Sequence, residues 1–408
     1  MSRAVVTGIG VMAPNGIGVE EFWAATLAGR SGIRPISRFD CSSYPVTLAG
    51  DVAGFDPRAH VSSRLLVETS MMTHLAFVAA RMALTDAEVT PAELPEYEMG
   101  VVTANATGGA EYGQRELENL WSKGPDHVSA FMSIAWFYAA TTGQLSIRHK
   151  LRGHCGVVVS EEAGGLDAIG HGRRILREGH RLALTGGTES GALAPGGLTA
   201  VIPTGQLSRR SDPARAYLPY DADASGYVPG EGGAILVLED ETAAGERGAP
   251  RRYGEIAGYA ATFDPKSGRD RPPALRRAVE LALADAAVEP SDVDVVFGDA
   301  AGVPAQDRVE AGALEAVFGP YGVPVTAPKT MTGRLCAGAG ALDVATALLS
   351  IRDGVIPPTV NVTELAPDCR IDLVRDQPRA ARVRTALVLA RGHGGFNAAV
   401  VVRGTDNN

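Results

Sequence analysis

Cysteine is scarce in this chain, and histidine is absent from a long stretch of it. The four cysteines among 408 residues, Cys41, Cys155, Cys336 and Cys369, show no CxxC or metal-type spacing. That argues against a disulfide framework or a metal module and for a reduced setting. Of eight histidines, none lies between His180 and His393. Long apolar runs are absent too. The opening RAVVTGIGVMAP is too short and too glycine-rich for a signal peptide or a membrane span, and reads as a buried first strand of a cytoplasmic protein. No basic run stands out, and 38 Lys and Arg against 47 Asp and Glu leave a net charge of −9, which disfavours nucleic acid as a partner.

What is present fits an α/β protein with many tight turns: 45% hydrophobic residues, 21% charged residues and 49 glycines. The chain also repeats itself in order. MGVVTANATGG (Met99 to Gly109) is echoed by VDVVFGDAAGVP (Val293 to Pro304). GLDAIGHGRRILREG (Gly165 to Gly179) is echoed by ALDVATALLSIRDG (Ala341 to Gly354). RLALTGGTES (Arg181 to Ser190) is echoed by TALVLARGHGG (Thr385 to Gly395). Both repeated helices are expected to stop on a glycine in the left-handed conformation. Three pairs in one order predict two related halves, 1–240 and 253–408, although chance similarity of glycine-rich turns competes with duplication. AVVTGIGV and GAILVLE read as strands buried on both faces, so layered α/β architecture is expected.

The stretch VVVSEEAGGLDAIGHG (Val157 to Gly172) reads as strand, acidic turn and helix. Such a turn normally presents Cys or Ser, because the following helix N-terminus stabilises a thiolate or oxyanion. Here it presents Ser160, Glu161, Glu162 and Ala163.

AVVTGIGVMAPNGIG, YDADASGYVPGEGGAILVLED, PKTMTGRLCAGAGALD and GHGGFNAAVVV together resemble the β-ketoacyl synthases of fatty acid and polyketide assembly, over essentially the whole chain. The resemblance implies a duplicated thiolase-like fold with α-β-α-β-α layers. A condensing member needs a Cys to carry the acyl chain and two His to assist decarboxylation and stabilise the developing charge. In this chain the Cys position falls on Glu162 and the two His positions on Ala301 and Arg334, whereas the family's lysine is retained as Lys329. His393 replaces the aromatic of the family's Gly-Phe-Gly-Gly gate. No catalytic residue, cofactor or metal is therefore expected.

These losses resemble the chain length factors of type II polyketide synthases, as do GQRELENLWSKGP, SIAWFYAATTGQLSIRH and SEEAGGLDA. Members of that group usually carry Gln at the position of Glu162. The resemblance implies a heterodimer with an active ketosynthase subunit, with an acyl carrier protein and the growing polyketide chain as further partners. It implies an acyl tunnel whose far end is lined at Ala110, Gly113 and Leu117, spaced i, i+3, i+7 on one helical face. All three are small or medium, which predicts a deep tunnel, unless they merely permit close helix packing.

Glu162 then reads as a helix-terminal remnant, as a partner contact, or as part of a malonyl decarboxylase with Lys329 and Arg334. Arg334 is expected to pair with Glu162 or Glu161. Ser160 is disfavoured as a nucleophile, since no motif places a His beside it. Trp121, Trp136, Phe137 and Tyr138 read singly as core; as a group, Asp126 to His149 reads as a large apolar interface.

Overall fold

Ten strands and six helices carry the architecture, in a computed structural model that describes residues 3–266 and 271–405. The strands are β1 (Ala4–Ala13), β2 (Met99–Ala104), β3 (Cys155–Val158), β4 (Leu182–Glu189), β5 (Gly232–Asp240), β6 (Gly254–Phe263), β7 (Val295–Phe297), β8 (Pro324–Thr326), β9 (Thr385–Gly392) and β10 (Phe396–Arg403). The helices are α1 (Met71–Asp86), α2 (Ala110–Lys123), α3 (Gly164–Arg177), α4 (Leu275–Ala286), α5 (Pro304–Phe318) and α6 (Ala337–Asp353).

The sheet order makes the duplication explicit. One half runs β1-β5-β4-β2-β3 and the other β6-β10-β9-β7-β8, and the halves join where β1 lies antiparallel to β6. In each half the first two pairings are antiparallel and the last two parallel. The outer helices repeat as well: α1 covers β1 and α4 covers β6. A Cβ built on Gly8 would stand 2.1 Å from the Ala83 carbonyl oxygen, and one on Gly258 would stand 2.2 Å from that of Ala282. The same glycine therefore admits the same helix backbone twice.

Between the sheets lie α3 and α6, packed on each other and on strands of both halves. Every residue of α6 from Ala337 to Ile351 is buried. A Cβ on Gly165 would stand 2.7 Å from the Ala337 carbonyl oxygen, so this glycine sets the close approach of the two helices. The layers are those of the expected thiolase-like fold. β1 is buried along its whole length and β5 along all but its last residue, as read from their sequences. The glycine stops differ in detail: Gly354 caps α6 at φ +64°, whereas α3 ends at Arg177 and Gly179 follows at φ +107°. Among the described residues, no helix is long and apolar enough to cross a membrane.

Candidate functional site

The pedestal is formed as its sequence suggests. β3 runs into a single 3₁₀ turn at Glu161–Ala163, and α3 follows from Gly164. Glu161 sits at φ +54°, a backbone conformation uncommon outside glycine, which gives the turn its sharpness. The Glu162 carboxylate is largely buried and lies 3.9 Å from the Arg334 Nε through one oxygen, while its other oxygen is buried without a hydrogen bond. Ser160 donates to Asp167 at 2.5 Å, and Tyr259 donates to the same carboxylate at 2.8 Å. Its hydroxyl is held by an acid, not by an imidazole base, so it carries no activated nucleophile. Cys155 is the exposed first residue of β3.

Arg334 is paired, but not principally as expected. Its guanidinium forks onto Asp299, 3.1 Å from each carboxylate oxygen, and also donates to the Asp299 and Arg391 carbonyl oxygens at 3.3 and 3.1 Å. Glu162 is the looser partner, and the closer one sits two residues before Ala301 at the end of β7. Burial opposes charge on Asp299, yet Arg334 and Lys329 outweigh it and hold the carboxyl below its ordinary range. Burial likewise opposes charge on Arg334, but Asp299 and Glu162 keep it firmly protonated. Lys329 pairs with Asp343 at 2.8 Å and donates to the Gly298 carbonyl oxygen. Ala301 is buried and supplies no functional group.

One feature of the site escaped sequence reasoning. Glu189, the last residue of β4, is buried and accepts from the Ala106 amide at 2.8 Å, the Thr107 amide at 3.3 Å and the Thr107 hydroxyl. Burial pushes its carboxyl up to about 7, against those hydrogen bonds. A raised folded-state value means that the native protein holds this proton more tightly than the unfolded chain. Its contribution to stability is therefore complete below pH 4.5 and lost as pH rises to about 7. Glu189→Gln should flatten that part of the stability–pH curve, on the order of 3 kcal/mol, in urea unfolding measured from pH 4.5 to 8.

A cavity of about 190 Å³ opens beside these groups, lined by Thr107, Glu161, Glu162, Tyr227, Arg334, Cys336 and His393, with Thr204, Gln206 and small apolar residues completing the wall. His393 is exposed on the loop after β9 and lines this cavity. Lys329 and Ala301 do not line it. The Cys336 thiol is pushed well up by burial, then by Glu162 and Glu189, so it stays protonated. The cavity thus holds the Glu162–Arg334 pair, a protonated Cys336 thiol and the exposed His393 imidazole. Among the described residues, no group of three or more His, Cys, Asp or Glu is arranged to hold a metal.

The β-ketoacyl synthase N-terminal domain profile matches residues 1–244, and the C-terminal domain profile matches residues 253–363. The chain belongs to the β-ketoacyl synthase family. It is 60% identical over 400 residues to the tetracenomycin polyketide synthase ketoacyl synthase beta subunit of Streptomyces glaucescens, covering 98% of each chain. Among solved structures it superposes on the ishigamide ketosynthase/chain length factor with a TM-score of 0.91 at 30% identity, over 99% of each chain. A type II polyketide synthase acyl-carrier protein in complex with its ketosynthase bound to the hexaketide contains a chain matched at a TM-score of 0.88 and 28% identity, over 99% of this chain and 100% of that one.

For this β-ketoacyl synthase family member, the positions at the expected end of a tunnel are not alike. Ala110 opens α2 half-buried, Gly113 is buried, and Leu117 is 47% exposed. None of the three lines the cavity beside Glu162. The aromatic residues read singly as core are at the surface: Trp121 is 83% exposed, Phe137 53% and Trp136 48%. Ile134, Ile147 and Val159 are exposed as well, Ile147 on a helix (Ala140–His149) that packs on β3, an edge strand of the sheet, and Val159 one residue past that strand. Large apolar side chains left in water beside an unpaired strand edge mark an interaction surface.

Proposed function

We propose that this chain is the non-condensing, chain-length-determining subunit of a heterodimeric type II polyketide ketosynthase. One observation supports the non-condensing part: the turn before α3 presents the Glu162 carboxylate to the cavity, and Arg334 beside it is held by Asp299. A carboxylate cannot carry the acyl chain as a thioester, and a guanidinium cannot exchange a proton near neutral pH. The partner ketosynthase supplies Cys and His, receives malonyl units from an acyl carrier protein and joins them. This chain covers the partner through its apolar face and contributes walls to the tunnel, with Ala110, Gly113 and Leu117 on the helix that borders it. When the far end of the acyl chain meets the floor, insertion of another unit costs steric strain, and release overtakes elongation.

The test is co-expression with a ketosynthase, followed by measurement of complex mass and product mass. A 1:1 complex making a chain of defined length is expected, with no product from this chain alone. Glu162→Ala should leave the product and its yield within about twofold. Loss of carbon dioxide release from malonyl carrier protein on that substitution would instead make this chain a decarboxylase. A cytoplasmic location suits this role, with malonyl carrier protein as the extender donor.

A further inference from the structure

Three of the eight histidines meet at the start of β3, an edge strand of the sheet. His154 precedes Cys155, the first paired residue, which lies opposite Val101 of β2. The His154 carbonyl oxygen accepts from the Val101 amide at 2.8 Å, and its own amide donates to His180 Nε2 at 3.0 Å. On the other side of that ring, His180 Nδ1 lies 3.2 Å from the Ile175 carbonyl oxygen. A carbonyl oxygen only accepts and an amide only donates, so the two contacts together require the neutral imidazole with its hydrogen on Nδ1. A Cβ on Gly153 would stand 2.8 Å from His180 Nε2, so the ring closes on bare backbone. The last turn of α3 and the start of β3 are thus joined through one uncharged ring.

The other two rings lie against each other. The His154 and His171 centroids are 4.7 Å apart with the planes tilted by 58°, and His154 Nε2 is buried without a hydrogen bond. A Cβ on Gly156 would stand 3.0 Å from that nitrogen and 3.7 Å from His171 Cε1, so this glycine makes room for the pair. Burial, then His154 and Arg174, push the His171 imidazole below its ordinary 6.5, against the pull of Glu178. The unfolded chain therefore takes up this proton first, and stability falls as pH drops below 6.5. The neighbouring charges are engaged elsewhere. Arg152 pairs with Glu96 at 3.0 Å and with the Tyr97 hydroxyl, Arg181 with Glu246 at 2.6 Å and Glu98 at 3.9 Å, and Arg177 with Asp285 at 3.9 Å. On the helix Ala140–His149, burial and then Arg148 push His149 down to about 4, and burial pushes the Cys155 thiol of β3 up, so neither changes charge between pH 8 and 5.5.

We propose that His154, His171 and His180 form an acid-sensitive latch on this edge strand, and that its opening releases the ketosynthase partner. Neutral, the three rings fix the start of β3. Protonated, His180 turns a hydrogen toward the His154 amide and loses that contact, while charge on the facing pair is repelled by Arg174 and by the second ring. The strand then loosens from its first residue. Ile147 and Val159 lie exposed beside it, and the partner that covers them loses its footing. The release step rests on the proposed role above; the latch itself does not.

The experiment follows the co-expressed complex from pH 8 to 5.5, reading dissociation by sedimentation velocity and protection of the 154–158 amides by hydrogen exchange, corrected for its intrinsic pH dependence. Wild type is compared with His171→Gln, His180→Gln and the double variant, since glutamine keeps a donor and an acceptor but takes up no proton. In wild type, protection and affinity should each fall by about tenfold or more, the effect of a shift of about one pKa unit in a single group, and in the double variant by less than about threefold. Wild-type values that hold across the range, or a double variant that tracks wild type, overturn the inference. So does loss of protection with the partner still bound. If the double variant does not assemble at pH 8, His171→Gln decides: a flattened profile supports the latch, and an unchanged one overturns it. A wild-type chain that forms no complex at pH 8 refutes the proposed role instead, and hydrogen exchange on that chain then decides the latch by the same comparison.

Discussion

Arg334→Ala is expected to lower the unfolding free energy by about 3–5 kcal/mol. The side chain is nearly inaccessible, and it serves two carboxylates: Asp299 in a two-pronged contact at 3.1 Å and Glu162 at 3.9 Å. Removing it strands both acids in a place where neither reaches water freely, and the Arg391 carbonyl oxygen loses a donor at 3.1 Å. The cost comes from the charges left behind, not from the attraction lost. Arg334→Met combined with Asp299→Asn should therefore recover much of the loss, although the double variant has fewer polar contacts. Urea unfolding at pH 7 of wild type, the single and the double variant gives the comparison; a single variant within 1 kcal/mol of wild type would mean that the pair is replaceable by water.

Phe137→Asp should weaken the complex with the ketosynthase partner by about 100-fold or more while leaving the fold intact. The ring is 53% exposed, so a carboxylate there costs little in the free chain. In the complex the same carboxylate must be dried. Truncating one well-placed aromatic anchor costs at least about 2 kcal/mol, each 1.4 kcal/mol being tenfold in affinity, and a buried charge adds to that. Tyr321→Asp is the control, since Tyr321 is 60% exposed on a loop of the other half. Titration of the partner by calorimetry should separate the two; equal affinities for both variants would place the interface elsewhere.

The fold was legible because the repeat lies in backbone requirements that few residues satisfy. Strand, glycine turn and helix recur in order, and Gly8 and Gly258 do the same steric task on β1 and β6. The site was half legible. Glu162, Ala301 and Arg334 were placed by the family resemblance, and the structure brings Glu162 and Arg334 to one cavity wall. Asp299 was missed because it belongs to a segment read for what Ala301 lacks, and its meeting with a residue 35 positions later depends on the sheet. Glu189 was missed because an acid at a strand end looks like a solvated turn; its amide partners come from the loop after β2, 83 positions earlier. The TGGTES turn held a weak signal, an acid among small residues with nothing basic near it. Trp136 was misjudged for a related reason: its neighbour Gly113 was read as empty space, and only the fold shows that the indole lies against it.

The central pair of helices also constrains how the polypeptide is made. α6 lies against β4 and β5, strands completed about 150 and 100 residues before it is synthesised. When the first 240 residues have left the ribosome, the inner face of their sheet and one flank of α3 still await a helix not yet translated. Cutting the gene between β5 and β6 should therefore give two sticky fragments instead of two small proteins, and translation speed across the second half should govern how much of the nascent chain is lost to aggregation.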